Sequence, residues 1–139
     1  MVNLDGAQDV YVKKYLPRLA YSVTPVEVPG ESEVTLCDID SPNGLIDFIS
    51  IAVDTTLFEI ALEIDGVEIY RLPLAELADS LGLEKGSSLF LGVSADKMTF
   101  YDQYPEPIGV QTNFKIKVKN LENKKQDALG FLVRHRVLE

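Results

Sequence analysis

The sequence predicts an all-β protein: an antiparallel β-sandwich, jelly-roll-like fold or small barrel of about eight strands. Three observations predict it. Short stretches alternate apolar and polar residues with a period of two. Turn signals built on Gly, Pro, Asn and Asp separate those stretches at regular spacing. A helical period occurs once, over residues 73–81.

Residues 1–16, "MVNLDGAQDVYVKKYL", show no sustained period and stop before Pro17. They read as an N-terminal arm or edge segment, with 17–139 forming a single β-sandwich domain. Val10, Tyr11, Val12 and Tyr15 are too apolar for an idle tail, and are expected to make contacts between subunits. "RLAYSVTPVEV" supplies an extended segment in which Pro25, lacking an N–H, marks an edge or a break. After the "PGE" turn, "SEVTLCDI" sets Val34, Leu36 and Asp38 against Glu33, Thr35 and Cys37. "DSPNG" makes a second turn. "LIDFISIAV" is apolar on nearly both faces, as a covered central strand would be, with Ile46 and Phe48 opposed to Ile49 and Ile51.

"TLFEIALEID" is a half-buried strand with Phe58, Ile60, Leu62 and Ile64 on one side. Asp65-Gly66 signals a type I′ hairpin, which needs positive φ at both central residues, and "VEIYRL" returns beside it. Pro73 then suits a first helical turn. Leu74, Leu77, Ala78 and Leu81 form one apolar stripe, and Gly82 a C-cap. So short a helix must pack on something, so it is expected to cap the sandwich or cover an edge strand. "SSLFLGV" and "KMTFYD" form a further hairpin, and "YDQYPEP", 101–107, reads as a proline-stiffened loop carrying Tyr101 and Tyr104. "TNFKIKVKN" places Phe114, Ile116 and Val118 inside, and "ALGFLVRHRVLE" puts Leu129, Phe131, Val133, His135 and Val137 on one face. The expected core comprises Phe48 or its neighbours, Phe58, Ile60, Leu62, Ile64, Phe114, Ile116, Val118, Phe131 and Val133.

At 139 residues, 46% hydrophobic and 25% charged, the chain suits one globular domain. Its net charge of −9 argues against a nucleic-acid surface, and no aromatic ladder backs Lys13-Lys14, Lys124-Lys125, Arg134 or Arg136. Its one cysteine, Cys37, excludes an intrachain disulfide and suits cytosolic synthesis. Neither a signal peptide nor an apolar run of the ~18–20 residues that span a bilayer is present.

No Walker, GxGxxG, HExxH, CxxC or GxSxG motif occurs. His135, the one histidine, shares an apolar face and reads as a core or edge residue. Catalysis through it would need Cys37 or a serine brought alongside. Asp38, Asp40 and Asp47 flank a turn, where oxygen ligands could gather for calcium; the spacing matches no EF-hand, and Asp is an ordinary turn residue. Glu59 and Glu63 lie roughly 13 Å apart along one strand, too far for a glycosidase pair. Tyr101, Tyr104 and their acidic neighbours resemble surfaces that touch sugars or proteins. The expectation is therefore no enzyme and no cofactor or metal.

In texture, "LEIDGVEI" and the terminal "FKIKVKN…GFLVRHRV", set in an acidic apolar sandwich with an arm-like start, resemble small virion structural proteins of tailed bacteriophages. Capsid decoration (cement) proteins and accessory head or tail components are the nearest in kind. The resemblance implies a non-enzymatic protein, made in the host cytoplasm and resident in the virion. It would self-assemble as a homo-oligomer, a trimer being preferred, and stabilise or decorate a particle through a major capsid or other virion protein. The alternative is a carbohydrate-binding or other recognition module using the 101–107 loop.

Overall fold

The computed structural model describes residues 14–55, 57–76, 91–94 and 97–138, with the backbone alone along 91–94 and 97–105. Among the described residues ten strands run in chain order: β1 (Tyr15–Ser22), β2 (Val26–Val28), β3 (Glu33–Asp40), β4 (Gly44–Val53) and β5 (Phe58–Ile64). They continue as β6 (Val67–Pro73), β7 (Leu91–Ser94), β8 (Lys97–Val110), β9 (Asn113–Asn120) and β10 (Gln126–Leu138). Sheet A has the order β1-β10-β4-β8-β7, with β2 also on β10, and sheet B the order β3-β9-β5-β6. Every pairing is antiparallel. Neither sheet closes on itself, so the fold is a sandwich and not a barrel.

The pairings are nested. β5 pairs β6, β4 pairs β8, β3 pairs β9 and β1 pairs β10. The chain is thus one long two-stranded ribbon with its tip at Asp65-Gly66, rolled so that successive ribbon segments alternate between sheets. That is the jelly-roll arrangement. The tip has the backbone its residues demand, φ being +53° at Asp65 and +81° at Gly66, the left-handed pair of a type I′ turn. Asp65 also clamps the tip to the β8–β9 turn. Its carboxylate accepts N–H groups from Thr112 at 2.7 Å, Gln111 at 3.0 Å and Asn113 at 3.3 Å. Those bonds hold its pKa below the usual carboxylate value.

The core lies between the sheets. Phe58, Ile60, Leu62 and Ile64 of β5 and Phe114, Ile116 and Val118 of β9 meet Ile46, Ile49, Ile51, Val53 and Val133 of sheet A. Phe131 packs against this cluster. Buried Asn120 closes the open end by donating its side-chain amide to the carbonyls of Lys124 at 2.7 Å and Val28 at 3.1 Å.

Bulges correct the expected faces at three places. In β3 the register slips between Thr35 and Cys37, so Cys37 points inward and Asp38 outward. In β4 it slips between Ile46 and Phe48. Ile46, Ile49 and Ile51 therefore share the buried side, and Phe48 turns out of the core to the other. In β10 it slips between Ala128 and Gly130, which moves Leu129 off the line of Val133 and His135. The expected loop at 101–107 is also corrected, because β8 runs through it. Its two prolines fall where the ladder is interrupted: four residues, 104–107, stand opposite Asp47 alone in the β4–β8 register. The helix expected over 73–81 starts as a helical turn at 74–76 on buried Leu74; Leu77, Ala78 and Leu81 lie outside the described residues.

Candidate functional site

The two sheets turn unlike faces outward. On sheet B, Lys115, Lys117 and Lys119 alternate with the buried side chains of β9, and glutamates line the neighbouring strands. Arg71 of β6 gathers three of them, reaching Glu33 at 2.7 Å, Glu68 at 2.8 Å and Glu59 at 3.0 Å. Lys117 meets Glu63 at 2.7 Å, which lowers the carboxyl's pKa and raises the ammonium's. Bonds to Glu33 and Glu59 likewise push the Arg71 guanidinium further up. This face is mainly charged, although its edge strand β6 also exposes Val67 and Ile69, at 61% and 49%.

Sheet A differs. Its outer side carries Tyr15, Leu19 and Tyr21 from β1, Leu132, Arg134 and Arg136 from β10, and Leu45, Phe48, Ser50 and Ala52 from β4, as the register dictates. Arg136 is fixed by a two-pronged bond to Asp47, at 2.7 and 2.9 Å. Its guanidinium lies 6.0 Å from the Tyr15 ring centroid, and that of Arg134 lies 5.6 Å from Phe48, within cation–π reach. Arg134 has no carboxylate partner among the described residues.

The apolar part continues onto the β1–β2 corner. Leu19, Tyr21, Val23 and Val26 are 53%, 64%, 80% and 40% exposed, together on the order of 400 Å² of apolar surface, a patch size that often marks a binding site. Beside them an open groove of about 490 Å³ has a floor of Ser50, Ala52 and Gly130 and walls from Tyr21, Val23 and Leu132. The small floor residues create the dip. Gly130 is required there, because a Cβ would lie 2.6 Å from the Ser22 carbonyl oxygen.

Of the residues expected at an interface, Tyr15 lies on this face. Val10, Tyr11 and Val12 fall outside the described residues. Tyr101 and Tyr104 lie on β8 of the same sheet, Tyr101 opposite Ser50; their side chains fall outside the description. Leu19, Tyr21, Val23 and Arg134 were missed, although Pro17, Leu19 and Tyr21 alternate with Arg18 and Ala20 in the sequence itself.

The remaining candidates do not converge. Asp38 accepts a bond from the Asn113 amide at 3.2 Å, Asp40 is exposed at the end of β3, and Asp47 belongs to Arg136 in the other sheet. No group of three or more potential metal ligands occurs among the described residues. Burial, then Asp38, pushes the Cys37 thiol up to about 12, opposite to the shift a nucleophilic thiolate requires. His135 is buried in the core, edge-on to Phe114 with ring centroids 5.5 Å apart. Its Nδ1 has no hydrogen-bond partner. Among the described residues no helix is long and apolar enough to cross a membrane.

No protein-family model matches the chain, and no curated protein matches it in sequence. Among solved structures it is similar to the crystal structure of the infectious bursal disease virus VP2 subviral particle. The TM-score is 0.45, with 14% identity over 88% of this chain. The chain spans about a third (33%) of the length of that one.

Proposed function

We propose that this chain is a non-enzymatic structural protein of a virus particle. It assembles with further copies of itself through the outer face of sheet A and stabilises or decorates a capsid. The observation that carries the reading is the contrast between the faces: ion pairs of Arg71 and Lys117 cross sheet B, whose exposed apolar residues are Val67 and Ile69 of β6, whereas sheet A presents Leu19, Tyr21, Val23 and a groove to solvent. A jelly roll serves viral capsid, lectin and cupin domains alike, so the fold leaves the assignment to its surfaces. Closed symmetry would let identical patches bury one another without growing into filaments. A trimer on a tailed-phage capsid is the finer form of the proposal and comes from the resemblance in sequence texture.

Light scattering tests the reading. The wild-type protein is expected to be a discrete oligomer, and the double variant Leu19→Asp, Tyr21→Asp a monomer with unchanged β-rich circular dichroism. Deleting residues 1–13, which leaves β1 whole, should weaken assembly or attachment to a particle. A wild-type monomer at high micromolar concentration would refute the proposal, and a monomer that bound a glycan in a screen would select a recognition module instead.

A further inference from the structure

We propose that His135 is a proton-operated latch on strand β1, by which mild acid loosens the edge of sheet A. The register sets Arg18 of β1 directly opposite His135 of β10. On its other flank His135 faces Ile46 of β4, and from sheet B the Phe114 ring meets it edge-on. Its buried Nδ1 finds no acceptor. The charged groups acting on it are Arg18 from β1 and Asp47 from β4. β9 presents the uncharged Phe114. Both oxygens of Asp47 are already engaged by Arg136.

A proton added to this ring would therefore create a buried donor without a partner and a cation across the strand pair from Arg18. Unpartnered buried charge is costly, and like charges directly opposite each other destabilise a strand pair. The ring's pKa is lowered by burial first and by Arg18 second, with Asp47 opposing. The sign follows. A state with β1 released restores the ring to an ordinary value of about 6.5 and binds more protons than the closed state. The closed state thus has its full advantage above that value and loses it as pH falls below.

β1 is the element to yield, because among the described residues it bonds to β10 alone. Leu19 and Tyr21 leave with it. That consequence for assembly rests on the proposed role of sheet A; the latch itself does not.

Hydrogen–deuterium exchange of the full chain at pH 7.5 and 5.5, corrected for intrinsic rates, tests the latch. Exchange in β1, relative to β5 and β9, should rise several-fold at pH 5.5 in the wild type. It should lose that pH dependence in His135→Gln and keep less of it in Arg18→Gln. Unchanged β1 protection in the wild type, or the same rise in His135→Gln, would overturn the latch. Should His135→Gln fail to fold, an NMR titration of the single imidazole decides in the wild type, and a folded pKa of 6.5 or above overturns it. Light scattering at both pH values separates the two proposals: acid-dependent β1 exchange in a protein monomeric throughout upholds the latch and rejects the assembly.

Discussion

Ile116 and Lys117 are adjacent on β9, and replacing each with alanine should have very unequal consequences. Ile116 is 1% exposed and sits between Cys37 of β3 and Leu62 of β5. Strands hydrogen-bonded on both sides cannot collapse into the space that Ile116→Ala would leave. The cost should fall in the upper half of the ~2–5 kcal/mol seen for such truncations. Lys117→Ala removes one part-buried ion pair with Glu63, a far smaller loss, because ion pairs at the protein surface contribute little. Ile116→Asp would bury an unpaired carboxylate in a domain whose whole stability is on the order of 5–15 kcal/mol, and should not fold. Urea denaturation followed by circular dichroism measures all three, with an unchanged m-value showing that the native and denatured states are comparable. If Lys117→Ala cost as much as Ile116→Ala, or Ile116→Asp melted like the wild type, β9 would be shifted by one residue and its inner and outer faces exchanged.

Asp65→Asn should lower the melting temperature at neutral pH. Because the folded carboxyl's pKa is depressed, its contribution is present above the ordinary carboxylate value and lost as pH falls through the folded one, so the difference from wild type should shrink in acid; a pH-independent difference would refute an ionic clamp. Gly130→Ala should cost about 1–3 kcal/mol by overpacking against the Ser22 carbonyl, and an unchanged melt would refute the close approach. Cys37 should react with a thiol reagent only on unfolding, and stoichiometric labelling of the native protein would place β3 in the wrong register.

β5 and β9 were legible in the sequence because neither needs a bulge to set its inner face. A strict period of two carried Phe58 to Ile64 and Phe114 to Val118 straight into the core. Asp65-Gly66 was legible for a local reason, since few other pairs accept two left-handed residues. β3, β4 and β10 were not, because each holds an extra residue that flips the face partway along. A bulge adds a residue without announcing itself in composition, so alternation grouped Phe48 with Ile46, left the core to Phe48 or its neighbours, and set Cys37 opposite Val34 and Leu36. The long-range partners were equally hidden. Nothing near Arg71 in sequence points to Glu33, and nothing near Arg18 points to His135.

The difference between the faces is also a difference in what each would lose on contact. Association through sheet B would strip water from Arg71 and its three glutamates, at several kcal/mol per ion unless new partners replaced every bond. Among the described residues the outer face of sheet A holds one two-pronged ion pair, Arg136 with Asp47, whose groups already bond each other, and Arg134, whose burial would need a carboxylate from the neighbouring copy. Burying its apolar patch would return on the order of 10 kcal/mol per copy at ~25 cal/mol/Å². Two copies together return about 20 kcal/mol on this area scale, set against an association cost of roughly 4–15 kcal/mol, with side-chain ordering and imperfect polar pairing taking a further share. Each copy also carries a net charge of −9, so copies repel unless the meeting surfaces are locally neutral or positive. Arg134, exposed and without a carboxylate among the described residues, adds one unbalanced positive charge to the outer side of sheet A. β1 carries Leu19 and Tyr21 while its own hold on β10 runs past His135, so the edge strand that supplies half of the patch is the one the latch would release.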